Sequence, residues 1–198
     1  MTALYLYDDL RARSFEPFAS TRPISEMVAG TALIRRRWGA ALASATAHFL
    51  AGLRHLDFDE PGATAATGTI PAGSIVALSR CVPALPADPA NVSRRAATCS
   101  MWRCGTELAA VRIKEPIDVD AFADGKLTLE QLAAGTGAIG TLDGWWLEEV
   151  WDLVALLPVQ LASDLASPAF ASGHAPPDAA ILGTGRVPAA SACFGSRH

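Results

Sequence analysis

An α/β fold, a sheet with flanking helices, is what the opening of the chain predicts. Ala3 to Tyr7 is a short apolar and aromatic run stopped by Asp8 and Asp9. A stretch without a clean period follows to Ser25, and apolar residues then recur at helical spacing from Gly30. Strand, loop and helix in that order make the first unit of an α/β sheet. The tail adds a second expectation: residues 1–175 form the α/β domain, and residues 176–198 begin a truncated hexapeptide-repeat β-helix.

Taken in order, Ala3 to Tyr7 is a buried strand. Leu10 to Ser25, with Pro17 and Pro23, is a long ordered loop at its carboxyl end. Ala32, Leu33, Ile34, Trp38, Ala41 and Leu42 predict a helix of about a dozen residues. His48 to Leu53 is a weaker strand, and Asp57 to Gly73 is a connector rich in Gly, Pro, Thr and Ala. Ser74 to Ser79 is a buried strand, followed by a loop from Arg80 to Asn91 in which Pro83, Pro86 and Pro89 oppose a helix. Leu108 to Lys114 is another strand; Val119 to Ala123 and Leu127 to Ala134 are short helical pieces, with Thr128 as a cap for the second.

Gly144 to Phe170 reads as the long helix of the chain, kinked or divided at Pro158. Its tryptophans, Trp145, Trp146 and Trp151, suit core packing at helical spacing, with a sugar-stacking platform as the alternative. In the tail, Ile181, Val187 and Cys193 stand six apart among small residues, the period of a parallel β-helix. Three hexads make only about one coil, which cannot bury its own face.

The chain has 198 residues, 51% of them hydrophobic and 18% charged, with a net charge of −4. This composition suits one globular domain with a small appendage and excludes a disordered tail or a coiled-coil rod. The most apolar stretch, Ala40 to Leu53, carries Ser44, Thr46 and His48 and is too short and too polar to span a bilayer. The amino terminus has two acids where a signal peptide needs a basic run, so a cytoplasmic protein without a membrane partner is expected. The acidic balance argues against nucleic acid as a partner. The basic run Arg35, Arg36, Arg37 reads as a solvated helix end rather than a phosphate patch.

Lysine-dependent chemistry has only Lys114 and Lys126 to draw on, against fourteen arginines. Cys81, Cys99, Cys104 and Cys193 form no C-x2-C pair, and the four histidines form no His-x3-His pair. No metal centre is expected from these residues, and neither a Ser-His-Asp triad nor a G-x-S-x-G elbow is present.

Three segments carry a resemblance. The opening, LYLYDD…FEPFASTRPISEMVAGTALIRRRW, resembles that of a divergent group of sugar nucleotidyltransferases, the GlmU-like family. Phe15, Pro17, Thr21, Arg22, Pro23, Glu26, Gly30 and Trp38 match its pattern in register. The segment VWDLVALLPVQLASDLA resembles the family's W-D…D helix, and the six-residue tail lies where the family places a left-handed β-helix with acyl-transfer activity.

The resemblance implies a nucleotide-diphospho-sugar transferase-like, Rossmann-like sheet. The implied reaction joins a nucleoside triphosphate to a sugar 1-phosphate and releases pyrophosphate. Such a site needs amides and positive side chains around the phosphates and usually Mg²⁺ on oxygen ligands. The loop from Asp8 to Glu26 would cover the nucleotide at the carboxyl end of the first strand. Asp8, Asp9, Thr21, Arg22 and Glu26 are the substrate-binding candidates, and Arg22 is the first candidate for a phosphate contact. A purely structural Arg22 would instead tie the loop to Glu26, Asp8 or Asp9.

The family's other motifs are missing. Arg13-Ser14-Phe15 and Pro23-Ile24 stand where ordinary members carry G-x-G-x-R and Pro-Lys, and Cys81 stands where the metal-binding Asp would be. Leu156-Leu157 precedes Pro158-Val159-Gln160-Leu161-Ala162 where a second ligand, an Asn, belongs. A thiol and an aliphatic chain do not hold a hard cation, so no metal ligand is assigned and Mg²⁺ is not assured. Arg80 is the second catalytic candidate, an arginine able to clamp phosphate where the ion would act. Asp8, Asp9, Asp152 and Asp164 are the further acids available as metal or base groups. Two functions follow: an active, divergent nucleotidyltransferase, or a non-catalytic domain that binds a sugar nucleotide or organises a β-helix acyltransferase. The second would assemble as a homotrimer through the β-helix if the natural chain runs longer.

Overall fold

Strand β1 (Leu4–Tyr7) has a partner on each side and is covered on both faces, which is why its sequence is a continuous apolar run rather than an alternation. The structure is a computed structural model that describes residues 2–50, 52, 55, 57–133 and 137–168. β1 pairs in parallel with β4 (Ala47–Leu50) and with β6 (Ile75–Leu78). β6 pairs antiparallel with β9 (Glu107–Arg112), β9 antiparallel with β8 (Met101–Cys104), and β8 parallel with β11 (Ile139–Leu142). The order β11-β8-β9-β6-β1-β4 therefore has five strands running one way and β9 reversed.

Alternate residues of these strands feed two cores. Leu4, Leu6, Ile75 and Ala77 join Trp38, Trp102 and Leu147 on one side; Tyr7, Val76, Leu78 and Val111 join Phe122 and Leu129 on the other. α2 (Ile34–Leu42) buries Ile34, Trp38 and Leu42 in the first core. α4 (Leu129–Leu132) covers the second; its start is fixed by Thr128 and Gln131 bonding each other's main chain.

Three two-stranded ribbons flank the sheet: β2 (Val28–Ala29) with β3 (Ala32–Leu33), β5 (Thr69–Ile70) with β10 (Ile117–Asp118), and β7 (Cys81–Pro83) with β12 (Gly144–Trp146). The remaining helices are α1 (Leu10–Arg13), α3 (Pro89–Thr98), α5 (Asp152–Ala155) and α6 (Leu157–Ala166).

The fold corrects several expectations. The segment after Asp9 is not all loop: the Asp9 carboxylate accepts from Ala12 N at 2.8 Å and starts α1. Gly30, at φ +60°, turns the β2–β3 ribbon, so α2 begins only at Ile34. The prolines after Arg80 do not keep helix out to Asn91, because Pro89 occupies the first position of α3, where no amide proton is needed. Gly144 to Phe170 is not one helix, since Trp145 and Trp146 lie in β12. Pro158 sits in the first turn of α6, separating it from α5. Trp151 is 67% exposed and lies outside the core. The hexads of residues 176–198 lie outside the described residues. Among the described residues no helix is long and apolar enough to cross a membrane.

Candidate functional site

The carboxyl end of β1 delivers two carboxylates with different fates. Asp8 is buried; its oxygens accept from Ile24 N at 3.1 Å and from the Ser79 hydroxyl, which ties the ends of β1 and β6 together. Burial pushes the Asp8 carboxyl above its ordinary range, against the pull of the Ser79 and Ile24 hydrogen bonds and the charges of His55 and Arg13. Asp9 caps α1 with one oxygen and accepts from Arg80 Nε at 2.8 Å with the other.

Arg80 itself is hemmed in. Beyond Asp9, its guanidinium meets Glu148 at 3.3 Å and Glu107 at 3.4 Å, and it lies 4.5 Å from the Trp146 ring centroid. With three carboxylates around one cation, Arg80 has no charge to spare. Its side chain is only 12% exposed. Arg22 is the opposite case: its pair with Glu60, at 2.9 Å, joins two half-exposed side chains, the kind of ion pair that exchanges partners at little cost. Thr21 donates its hydroxyl to Phe18 O at 3.0 Å. Glu26 is buried and paired with Arg35 at 2.7 Å. The six sequence candidates therefore divide: Asp8, Asp9 and Arg80 gather beyond β1 and β6, whereas Thr21, Arg22 and Glu26 each bind elsewhere.

Much of the family-like pattern outside the loop serves packing. Arg37 and Asp164 form an ion pair with neither side chain exposed. Arg37 also donates to Ala29 O, at 2.8 and 2.6 Å, and to Pro83 O at 3.2 Å; Asp164 accepts from Thr31 N at 2.9 Å and Thr31 Oγ1 at 2.8 Å. Trp38 Nε1 donates to Cys81 O at 2.9 Å. Asp152, the first residue of α5, accepts from the amides of Glu148 and Glu149, at 2.6 and 2.9 Å, and ties the turn before the helix to its start. The basic run is accordingly not a solvated face: Arg35 and Arg37 are paired inward, and only Arg36 is exposed.

A cleft of about 350 Å³ opens beyond the carboxyl ends of β1 and β4, lined by Asp8, Leu10, Arg13, Ala19, Gly52, His55, Ala123 and Asp124. Two larger hollows, about 630 and 540 Å³, lie away from these residues, one against α2 and one between α3 and α6. The cleft holds two groups that the sequence reading missed. Arg13 donates from Nε to Asp8 O at 2.8 Å, from Nη1 to Ala123 O at 2.6 Å and from Nη2 to Phe122 O at 2.8 Å. Among the described residues no carboxylate pairs with it. His55 is buried, with Nε2 2.9 Å from Ala19 O; since a carbonyl only accepts, Nε2 carries the proton. Asp124 is held below the usual carboxylate range by the Lys126 amide, 2.9 Å away, with help from the Lys126 ammonium.

The donor set does not fit the Mg²⁺ implied by the resemblance. Cys81 is fully buried, and burial pushes its thiol well up; Asp152 and Asp164 are committed to main-chain amides, Thr31 and Arg37. The carboxylates that do converge, those of Asp9, Glu107 and Glu148, do so on the Arg80 guanidinium. No group of three His, Cys, Asp or Glu side chains suited to a metal ion occurs among the described residues.

A Rossmann-like sheet with a charged cleft at the carboxyl ends of its parallel strands is the architecture of a nucleotide-type α/β domain. The sugar nucleotidyl transferase family model matches residues 4–169, and the chain belongs to that family. No curated protein and no solved structure matches the chain.

Proposed function

We propose that the protein transfers a nucleotidyl group from a nucleoside triphosphate to a sugar 1-phosphate in the cleft beyond β1 and β4. An oxygen of the sugar phosphate attacks the α-phosphorus, the bond to the β-phosphate breaks, and pyrophosphate leaves with the electron pair. Little covalent chemistry is asked of the protein: it must align the two phosphates and stabilise charge on the transferring group. The observation that carries this reading is the cleft's position, at the strand ends where α/β sheets hold ligands, in a chain of this family.

Within this reading the loop from Asp8 to Glu26 forms one wall. Arg22, on the same loop but outside the lining of the cleft, is the catalytic phosphate contact in this reading, because its exposed pair with Glu60 can open and let the side chain swing to an incoming anion. Arg80 acts on the reaction through Asp9, holding the start of α1 beside the cleft. Asp8 fixes the loop through Ile24 N, while Thr21 and Glu26 hold its shape.

The buried thiol of Cys81 favours a second reading, a domain that binds a sugar nucleotide without turning it over and serves as a scaffold. Titration with UTP, dTTP and a sugar nucleotide, coupled to a pyrophosphate-release assay with sugar 1-phosphates, separates the two. Release of pyrophosphate establishes the transferase; tight binding with no release establishes the scaffold.

A further inference from the structure

We propose that the cleft takes the phosphates of its substrates on the Arg13 guanidinium, with no divalent cation in the site. This rests on the reading that the cleft binds phosphate esters, and it departs from it in the source of positive charge. Two independent observations meet here. The first is the donor set: the positions that would hold a cation are a buried thiol and carboxylates already committed to amides or arginines.

The second is the state of Arg13. Its three main-chain bonds fix the guanidinium plane, consume one N–H on each nitrogen and leave one N–H on each Nη. Carbonyl oxygens hold the group without neutralising it. Room around it is kept by two glycines: a Cβ on Gly52 would lie 3.2 Å from Nη1, and one on Gly125, at φ +78°, would lie 2.8 Å from Nε. The two carboxylates of the cleft feel its charge but make their hydrogen bonds elsewhere. Asp8 turns its oxygens to Ser79 and Ile24, and Asp124 bonds the amide and ammonium of Lys126. A planar guanidinium held by three main-chain bonds, with one N–H left on each Nη, can meet two phosphate oxygens without a bridging metal.

Calorimetric titration of the full chain with pyrophosphate, UTP and glucose 1-phosphate, in EDTA and then in excess Mg²⁺, tests this. At least one probe binds in EDTA within about threefold of its affinity in Mg²⁺, and which one binds tells a nucleotide site from a sugar-phosphate site. Arg13→Lys, which keeps the charge and loses the fork, weakens that binding about tenfold or more. Asp124→Asn, an exposed change, tightens it severalfold at low salt by removing a neighbouring negative charge. Either shift, in a variant that melts like the wild type, supports the proposal. Binding that requires Mg²⁺, binding of no probe, or wild-type affinity in both variants overturns it. Binding in EDTA without pyrophosphate release overturns the transferase reading and leaves this one standing. Release that depends on Mg²⁺ for binding does the reverse.

Discussion

Arg37 and Asp164, 127 residues apart in the chain, neutralise each other where neither side chain reaches solvent. Their contact joins α2 to α6 and, through Thr31 and Ala29, to the β2–β3 ribbon. Breaking a buried pair from one side strands a charge, whereas replacing both partners by apolar groups does not. Asp164→Ala is therefore expected to lower stability by about 3–5 kcal/mol, and Arg37→Met with Asp164→Leu by less than either single change. Urea midpoints of the three variants check this; a double variant as unstable as Asp164→Ala refutes it.

Gly30 is squeezed by the same pair. A Cβ there would collide with Arg37 Nη2 and Asp164 Oδ2 at a backbone φ of +60°, whereas Gly68, at φ +69°, faces open space. Gly68→Ala pays only the left-handed conformation, about 1 kcal/mol, and Gly30→Ala loses at least twice that in a denaturation curve.

Asp8 makes stability depend on pH in an unusual direction. Its folded-state pKa is raised, so its contribution is full below the unfolded value of 3.8 and is lost as pH rises through the higher folded value. Asp8→Asn removes that loss. The stability of Asp8→Asn relative to wild type should grow from acid to neutral pH, and a difference that is flat with pH would contradict the assignment.

Tyr7 does the same at the alkaline end. Burial raises its hydroxyl from 10.0 to about 12, against the pull of Arg13. The wild type keeps this contribution below pH 10 and loses it as pH climbs toward 12, while Tyr7→Phe does not. Phenolate absorbance during alkaline titration, read beside the fold's circular dichroism, reports both.

Arg22 and Arg80 separate under alanine substitution. Arg22→Ala removes an exposed pair and should change stability by less than about 1 kcal/mol while weakening nucleotide binding. Arg80→Ala leaves Asp9, Glu107 and Glu148 facing one another and should lower the melting temperature first. A destabilised Arg22→Ala with intact binding would reverse the two roles.

The sheet was legible where strands are buried on both faces, as in β1, β6 and β9, because such strands are apolar throughout. β8 and β11 escaped notice: Met101-Trp102-Arg103-Cys104 alternates over only four residues, and Gly140 breaks the pattern of β11. α3 was hidden by three nearby prolines, only one of which enters the helix, at its first position. In the site, Asp8 and Asp9 could be found because they end a strand. Arg13 and His55 could not, since their partners are main-chain carbonyls of Asp8, Phe122, Ala123 and Ala19, and a carbonyl leaves no mark in the order of side chains. Glu26, Gly30 and Trp38 stand out in the opening segment, yet their contacts are an ion pair, a tight turn and a hydrogen bond inside the core.

The dependence of Arg37 on Asp164 also sets an order of events during synthesis. Until α6 leaves the ribosome, burying Arg37 of α2 against the ribbon and the end of β7 strands a charge without its carboxylate. Charge balance in the first third of the protein thus waits on its last described helix.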